Sequence, residues 1–413
     1  MGSGETAPTM VSVHRELVAR LRPASAVLLD TPYGFQENVA EISARAQSYF
    51  ERSVGLQVDV PPGLRGSAEI GAGGEADGDV GLAAVRGADW VFAGPGSPSY
   101  ALAQWRDRPV GEALADHART GRAALVFASA AACTLGAYAL PVYEIYKSGA
   151  RPHWLDGLDV LGRLGLKVAM IPHYDNAEGG THDTRYCYLG ERRLRALERE
   201  LPDDAAVLGL DEHTAALVDV GRDAVEVRGR GVMTVRRRGE SVIVPSGGSV
   251  SLAELRALVR GEAARPAARR RRDEDAAPAA PQATLRDTVV DCEERFETGL
   301  RERDAEALVR AVLDIDAAVA EWAGDTEEDE GGTDWARDVM RSLIVRLGQT
   351  AGRGLTDPRD VLEPVVEPLI GVRAELRRTG CFALADTVRD VLQTIGVEVR
   401  DTPDGTHWRP GAS

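Results

Sequence analysis

The chain has 413 residues, 44% of them hydrophobic, which is enough for about two domains with buried cores. Its formal charge of −16 disfavours a phosphate-neutralising surface, and its four scattered cysteines, Cys133, Cys187, Cys292 and Cys381, exclude a disulfide framework or a zinc ribbon and fit a reducing cytoplasm. No signal-peptide pattern opens the chain, and no apolar run reaches the roughly 18 residues of a membrane span.

In chain order, Met1-Gly-Ser-Gly-Glu-Thr6 fits a myristoylation pattern but reads more plainly as a Gly-rich turn. Short β-rich runs then alternate with helical patterns. Strands are expected at 26–29, 55–60, 90–93, 123–128, 168–171 and 205–210, and helices at 39–53, 109–119 and 184–200. Such alternation predicts an α/β domain with an open, mostly parallel sheet covered on both faces, its sites at the strand carboxyl ends. Residues 61–79 are Gly-rich and polar and read as a loop. Runs at 214–220, 224–228, 232–236 and 241–244 read as an antiparallel edge.

Residues 261–282 repeat no apolar period and read as a flexible linker between domains at 1–260 and 283–413. The four arginines from Arg269 to Arg272 are followed by acidic residues, which favours a solvated tether over a nucleic-acid contact. Beyond the linker the period becomes helical. Leu285, Val289, Cys292 and Phe296 share one face, as do Leu362, Val365, Val366 and Leu369. A further stripe holds Leu384, Val388, Val391, Leu392 and Ile395, and together the three predict a small all-α bundle. The acidic stretch 325–330 reads as a loop between helices. Residues 281–413 carry 16 Arg, no Lys and 28 Asp or Glu, a net −12 that opposes tight RNA binding.

Chemistry concentrates at the strand ends. Ser129 follows the run Ala124-Leu-Val-Phe-Ala and precedes a helical pattern, the placement of a hydrolase nucleophile. Ala128 and Ala130-Ala131 flank the serine where a G-x-S-x-G elbow would bring glycine, so a helix-capping serine is the competing reading. The loop Ala93-Gly-Pro-Gly-Ser-Pro-Ser99 follows another strand, and its Gly94 and Gly96, with the Ala130 N–H, are oxyanion-donor candidates. His173 ends the strand Val168–Ile171 and is the candidate base. Glu144 is the leading orienting carboxylate, with Glu212 and Asp175 behind it, although Glu144 could instead pair with Lys147. A metal set of His173, Asp175, His182 and Asp183 has no helix-borne spacing and is disfavoured. Cys133, one turn beyond Ser129, reads as core. No metal and no cofactor are expected.

Two resemblances follow. Gly2-Ser-Gly-Glu5, Gly94-Pro-Gly-Ser-Pro-Ser99, Ala128-Ser-Ala-Ala131, Ile171-Pro-His173 and Gly209-Leu-Asp-Glu-His-Thr214 resemble the serine peptidases that include dipeptidase E and cyanophycinase. The resemblance covers roughly residues 1–258. It implies a flavodoxin-like fold related to class I glutamine amidotransferases, Ser129 as nucleophile, His173 as base, and Glu144 as the acidic residue shortly after the serine. It also implies small acidic peptides as substrates. Ala131 departs from the family's Ser-Ala-Gly elbow, and the family's first strand would precede the turn at which this chain begins. Leu369-Ile-Gly-Val-Arg373, Ala385-Asp-Thr-Val-Arg-Asp390 and Gly396-Val-Glu-Val-Arg-Asp-Thr-Pro-Asp-Gly-Thr-His-Trp408 resemble the C-terminal helical domain of cysteinyl-tRNA synthetase. The His-Ile-Gly-His and Lys-Met-Ser-Lys-Ser signatures of a synthetase core are absent, so aminoacylation is not expected.

The sequence therefore leaves two readings open. One is a cytoplasmic serine peptidase or amidase acting on a small peptide or amide. The other is a non-catalytic binding module whose helical domain meets a protein partner or tRNA, the latter disfavoured by its charge. Neither needs a membrane. Glutamine amidotransferase chemistry is disfavoured because Ser129 stands where that reaction uses cysteine.

Overall fold

The computed structural model describes residues 1–64, 75–177, 179, 182–262, 269–270, 283–325, 332–353, 358–402 and 405–410. The chain forms two compact units, Met1–Asp287 with Ala318–Thr333, and Thr288–Ala317 with Asp334–Ser413. Most of the expected linker lies outside the described residues, as do most of the acidic stretch 325–330 and part of the 61–79 loop.

The first unit opens with α1 (Val11–Leu21), β1 (Ala26–Leu29), α2 (Val39–Tyr49), α3 (Glu75–Gly87) and β2 (Trp90–Ala93). It continues through α4 (Pro98–Trp105), α5 (Pro109–Thr120), β3 (Ala124–Phe127), α6 (Ser129–Cys133), β4 (Tyr138–Ala139), α7 (Val142–Tyr146) and β5 (Leu155–Asp156). Then come β6 (Val168–Ile171), α8 (Gly190–Glu198), β7 (Ala206–Leu210), β8 (Thr214–Asp219), β9 (Ala224–Gly229), β10 (Val232–Arg237), β11 (Glu240–Pro245), β12 (Gly248–Ser251), α9 (Leu252–Arg260) and β13 (Arg269–Arg270). This is an α/β unit with mixed sheets. The single open sheet expected from the alternation is divided, among the described residues, into a parallel sheet β1-β2-β3 and a mixed sheet β11-β10-β7-β6-β4-β5. A third sheet, β13-β12-β9-β8, is antiparallel.

The central strands read as unbroken apolar runs because both faces are covered. Every residue of β1, β2, β6 and β7 is buried. Trp90, Phe92 and Leu28 pack with Phe50 on one side of the first sheet, and Val91, Val27 and Phe127 pack with Trp105 and Leu114 on the other. Residues 55–60 are not a strand: a lone bridge from Asp59 to Val27 is their share of the sheet. Helix α3 begins inside the stretch read as a loop.

Parallel register sets the geometry that follows. Val168 pairs with Ala206 and Ile171 with Gly209, so β6 and β7 end side by side. Met1 donates its amino group to the Phe127 carbonyl at 2.7 Å, and the Gly2 N–H donates to the Thr214 carbonyl at 2.8 Å. The opening turn is thereby tied to the ends of β3 and β7–β8.

Five helices follow, α10 (Leu285–Glu302), α11 (Ala305–Trp322), α12 (Gly332–Arg353), α13 (Pro358–Arg378) and α14 (Phe382–Thr394), and then an antiparallel hairpin, β14 (Val397–Thr402) with β15 (Gly405–Pro410). The C-terminal region is helical, but the hairpin corrects the all-α expectation. The first stripe is buried as expected: Val289, Cys292 and Phe296 are fully covered. Val366, Ile370, Leu392, Val397 and Trp408 form a small core on α13, α14 and the hairpin. Val365, Leu384, Val391 and Ile395, expected to face that core, are exposed. The closing motif is a staple. Buried Arg373 on α13 donates to both Asp401 oxygens at 2.7 and 2.8 Å, Thr406 Oγ1 donates to Asp401 at 2.8 Å, and Trp408 Nε1 donates to Glu367 at 2.8 Å.

Candidate active site

Ser129 stands two residues past β3 with φ +45°, a left-handed conformation that a serine adopts at a cost of about 1–3 kcal/mol. Surrounding hydrogen bonds impose it. The Ala128 N–H donates to the Ala93 carbonyl at 3.0 Å, and the Ala131 N–H to the Gly94 carbonyl at 3.2 Å, clamping both flanks of the turn to the loop after β2. The capping alternative does not occur: Ala128 holds the N-cap position of α6, with no side-chain cap. Ser129 is half-buried, and its hydroxyl faces His173.

His173 follows β6 and is also left-handed, at φ +47°. Its Nε2 lies 3.0 Å from Ser129 Oγ, and its Nδ1 lies 3.0 Å from Glu212 Oε1. Glu212 lies two residues past β7, so three strand ends deliver the three side chains. Asn176 Nδ2 donates to the same Glu212 oxygen at 3.0 Å, and the Glu212 N–H donates to Asp175 Oδ1 at 2.8 Å. Burial pushes the Glu212 carboxyl up, but the hydrogen bond and charge of His173, with Asn176, outweigh it and leave Glu212 below the usual range. That keeps it anionic beside the imidazole. Cys187 donates its N–H to the His173 carbonyl at 3.0 Å from a left-handed run, Tyr186, Cys187 and Tyr188 at φ +63°, +55° and +63°.

The imidazole's carboxylate partner is therefore Glu212 and not Glu144, the leading expectation. Glu144 sits on α7 with its Oε2 buried and unpartnered. Among the described residues no ion pair joins it to Lys147, whose Nζ lies 4.9 Å over the Tyr143 ring. The signal for Glu212 was present in sequence: it closes the strand run 206–210, but adjacency of β6 and β7 is a long-range fact. Asp175, the other reserve, supports Glu212 through its backbone, and burial followed by the Glu212 charge raises its pKa.

Gly94 and Gly96 lie on the loop after β2, and the Gly94 carbonyl meets the elbow at the Ala131 N–H. Gly96 has φ +130°, and a side chain there would meet the Pro32 carbonyl at 2.1 Å. A Cβ on Gly94 would lie 2.6 Å from Glu5 Oε1. Glu5 went unranked in the sequence. It is fully buried, neither carboxyl oxygen has a hydrogen-bond partner, and burial, then the nearby Asp325, push it up to about 7 against the pull of its own backbone N–H, His173 and the Met1 ammonium. Ala130 lies in the first turn of α6, where a backbone N–H has no intrahelical acceptor.

Cys133 is buried, and its thiol is held well above its ordinary range by a hydrogen bond with Cys187 and by burial. The metal set disperses: Asp183 accepts two bonds from Arg185, at 2.8 and 2.9 Å, while the His182 ring stacks 6.5 Å from Tyr146. Among the described residues no cluster of three or more His, Cys, Asp or Glu is placed to hold a metal ion. None of their helices is long and apolar enough to cross a membrane.

No protein-family description matches the chain. A peptidase from an acI-B1 Actinobacterium superposes with a TM-score of 0.46 at 19% identity, over 61% of this chain and 94% of that one. A putative peptidase E protein from Listeria monocytogenes superposes with a TM-score of 0.35 at 13% identity, over 59% of this chain and 96% of its own. A cysteine–tRNA ligase of Haloarcula marismortui is 33% identical over 140 residues, 33% of this chain and 28% of the ligase. The chain spans 10% to 28% of the length of the first curated relatives it matches. A stretch of the chain is thus similar to part of the cysteine–tRNA ligases.

Proposed function

We propose that the first unit is a serine peptidase or amidase acting on a small peptide or other amide, with Ser129 as nucleophile, His173 as general base and acid, and Glu212 as the orienting carboxylate. The observation that carries this reading is the unbroken hydrogen-bond relay from Ser129 Oγ through both nitrogens of His173 to Glu212, built on a left-handed serine. Glu212 favours the tautomer with a proton on Nδ1 and leaves Nε2 to accept the Ser129 proton. As Oγ attacks the amide carbon, that proton moves to Nε2 and the carbonyl oxygen becomes the oxyanion. The Ala130 N–H and the Gly94 and Gly96 backbone are its donors in this proposal. Collapse expels the amine, which takes the proton from Nε2. Water then attacks the acyl-serine by the same route and restores Ser129.

The test is hydrolysis of a panel of dipeptides and isopeptides by the intact chain, with fluorophosphonate labelling as a substrate-independent readout. Both are expected to vanish in Ser129→Ala and His173→Ala. Amidase activity that survives both substitutions would overturn the mechanism.

The second unit supports a different role, docking of a protein partner. The exposed apolar side chains along α13 and α14, among them Val361, Val365, Leu384 and Val391, favour that role. The acidic balance of residues 281–413 weighs against tRNA. Aminoacylation is not proposed, and a cytoplasmic setting is supported by four free cysteines.

A further inference from the structure

Two thiols adjoin the relay, one on the side of Ser129 and one on the side of His173. Cys133 closes α6, one helical turn beyond Ser129, and is 1% exposed; Cys187 is 4% exposed. Helix α6 packs on β6, the strand that leads to His173, and the Cys187 N–H donates to the His173 carbonyl at 3.0 Å. The segments that position Ser129 and His173 thus each bring one cysteine to the same buried layer, where the two thiols share a hydrogen bond. Both are free cysteines, and the hydrolysis proposed above uses neither.

The backbone around Cys187 is held against its own preference. Tyr186, Cys187 and Tyr188 are left-handed in succession, at φ +63°, +55° and +63°, and none is a glycine. Hydrogen bonds impose this: the Tyr186 N–H donates to the Tyr174 carbonyl at 3.0 Å and the Tyr188 N–H to the Thr184 carbonyl at 2.8 Å. The strained turn brings the Cys187 thiol to Cys133 and the Cys187 N–H to His173 at once. The two sulfurs are unequal. The hydrogen bond from Cys133, then the charge of His173, holds the Cys187 thiol below its ordinary range against burial, while Cys133 is held above its own. That makes Cys187 the attacking sulfur and Cys133 the resolving one.

We propose that Cys133 and Cys187 form an oxidative modification site, which a small hydroperoxide converts to a disulfide that reversibly disables the Ser129–His173 pair. The Cys187 sulfur attacks one oxygen of the peroxide, the O–O bond breaks, and the departing oxygen takes the Cys187 proton and leaves as water or an alcohol. The Cys133 sulfur then displaces the sulfenic oxygen, which takes the Cys133 proton and leaves as water. Two thiols are oxidised and one peroxide is reduced. The disulfide draws the sulfurs to about 2 Å, far inside hydrogen-bond contact, and pulls the left-handed turn and the His173 carbonyl towards α6. A misplacement of about 1 Å between base and nucleophile lowers reactivity on the order of 10²-fold. The effect on the site rests on the proposed role of Ser129; formation of the bridge does not.

The experiment treats the intact chain with stepped hydrogen peroxide and follows two readouts, a Cys133–Cys187 bridge by peptide mapping and the rate of fluorophosphonate labelling at Ser129. In fully bridged protein the labelling rate is expected to fall about 10²-fold, and dithiothreitol is expected to restore it. Cys133→Ala and Cys187→Ser, each tested alone, should form no bridge and lose the dithiothreitol-reversible inhibition. Cys381→Ser, which removes an exposed cysteine, should behave as the parent. No bridge at peroxide levels that oxidise Cys381, or a complete bridge with an unchanged labelling rate, would overturn this inference and leave the nucleophile standing. A chain that takes no probe before oxidation would overturn the nucleophile, and with it the control of the site, whether or not the bridge forms.

Discussion

The two units spend their stability differently. In the first, strands with both faces covered deliver Ser129, His173 and Glu212 to one place, and two of those residues hold left-handed backbone that packing must impose. The second has a small core on α13, α14 and the hairpin, one buried arginine stapled to Asp401, and long helical faces turned to solvent. Strained polar residues with few conformations suit chemistry, whereas uncovered apolar stripes on regular helices suit association. That contrast is why a reaction is assigned to one unit and docking to the other.

The sharpest way to break the contrast is at the nucleophile. Ser129→Ala should lower amidase turnover by about 10⁴-fold or more, with little change in thermal stability. A mutant that keeps turnover would remove the reason for separating the units. Within the second unit, Leu392 is fully buried while its neighbour Val391 is 54% exposed. Leu392→Ala should cost about 2–4 kcal/mol in urea unfolding.

Glu5 offers a pH test of the strained unit. Its carboxyl is pushed up to about 7 from an ordinary 4.5 by burial. The unfolded chain releases this proton near the ordinary value while the native unit holds it to about 7, so native stability falls as pH rises through that window. Glu5→Gln should remove a loss on the order of 1–3 kcal/mol between those limits, measured by thermal unfolding across pH. The smallest effect is expected at the open helix face. Val391→Ser should change stability by about 0.5 kcal/mol or less, and loss of a captured partner in that variant would sharpen the docking assignment.

Much of this was legible in sequence wherever the signal is local. The runs at Ala26–Leu29, Trp90–Ala93 and Val168–Ile171 have the bounds the apolar pattern gives, because a doubly covered strand is apolar throughout. Ser129 and His173 were visible as polar residues closing such runs. Helix α3 was hidden by Gly78 and Gly81, which lower helix propensity but are tolerated once the helix packs. Glu144 was preferred over Glu212 because sequence shows nearness along the chain, while the choice is made by the register of β6 on β7. The elbow lacks its own glycines, and the left-handed turn at Ser129 is instead held by bonds to Ala93 and Gly94 across the sheet. Val391 and Ile395 share a stripe with Leu392, but two helices and one hairpin cannot cover its full width.

The central claim is that Glu212, brought to His173 by strand adjacency, orients the base. The most direct measurement is the rate of fluorophosphonate labelling at Ser129 in Glu212→Gln and Glu144→Gln, side by side with the unaltered chain. The account predicts a slowing of about 10²-fold or more for Glu212→Gln, through the wrong imidazole tautomer, and a rate within about threefold of the parent for Glu144→Gln. An unchanged rate in Glu212→Gln, or a collapse in Glu144→Gln with the fold intact, would contradict it.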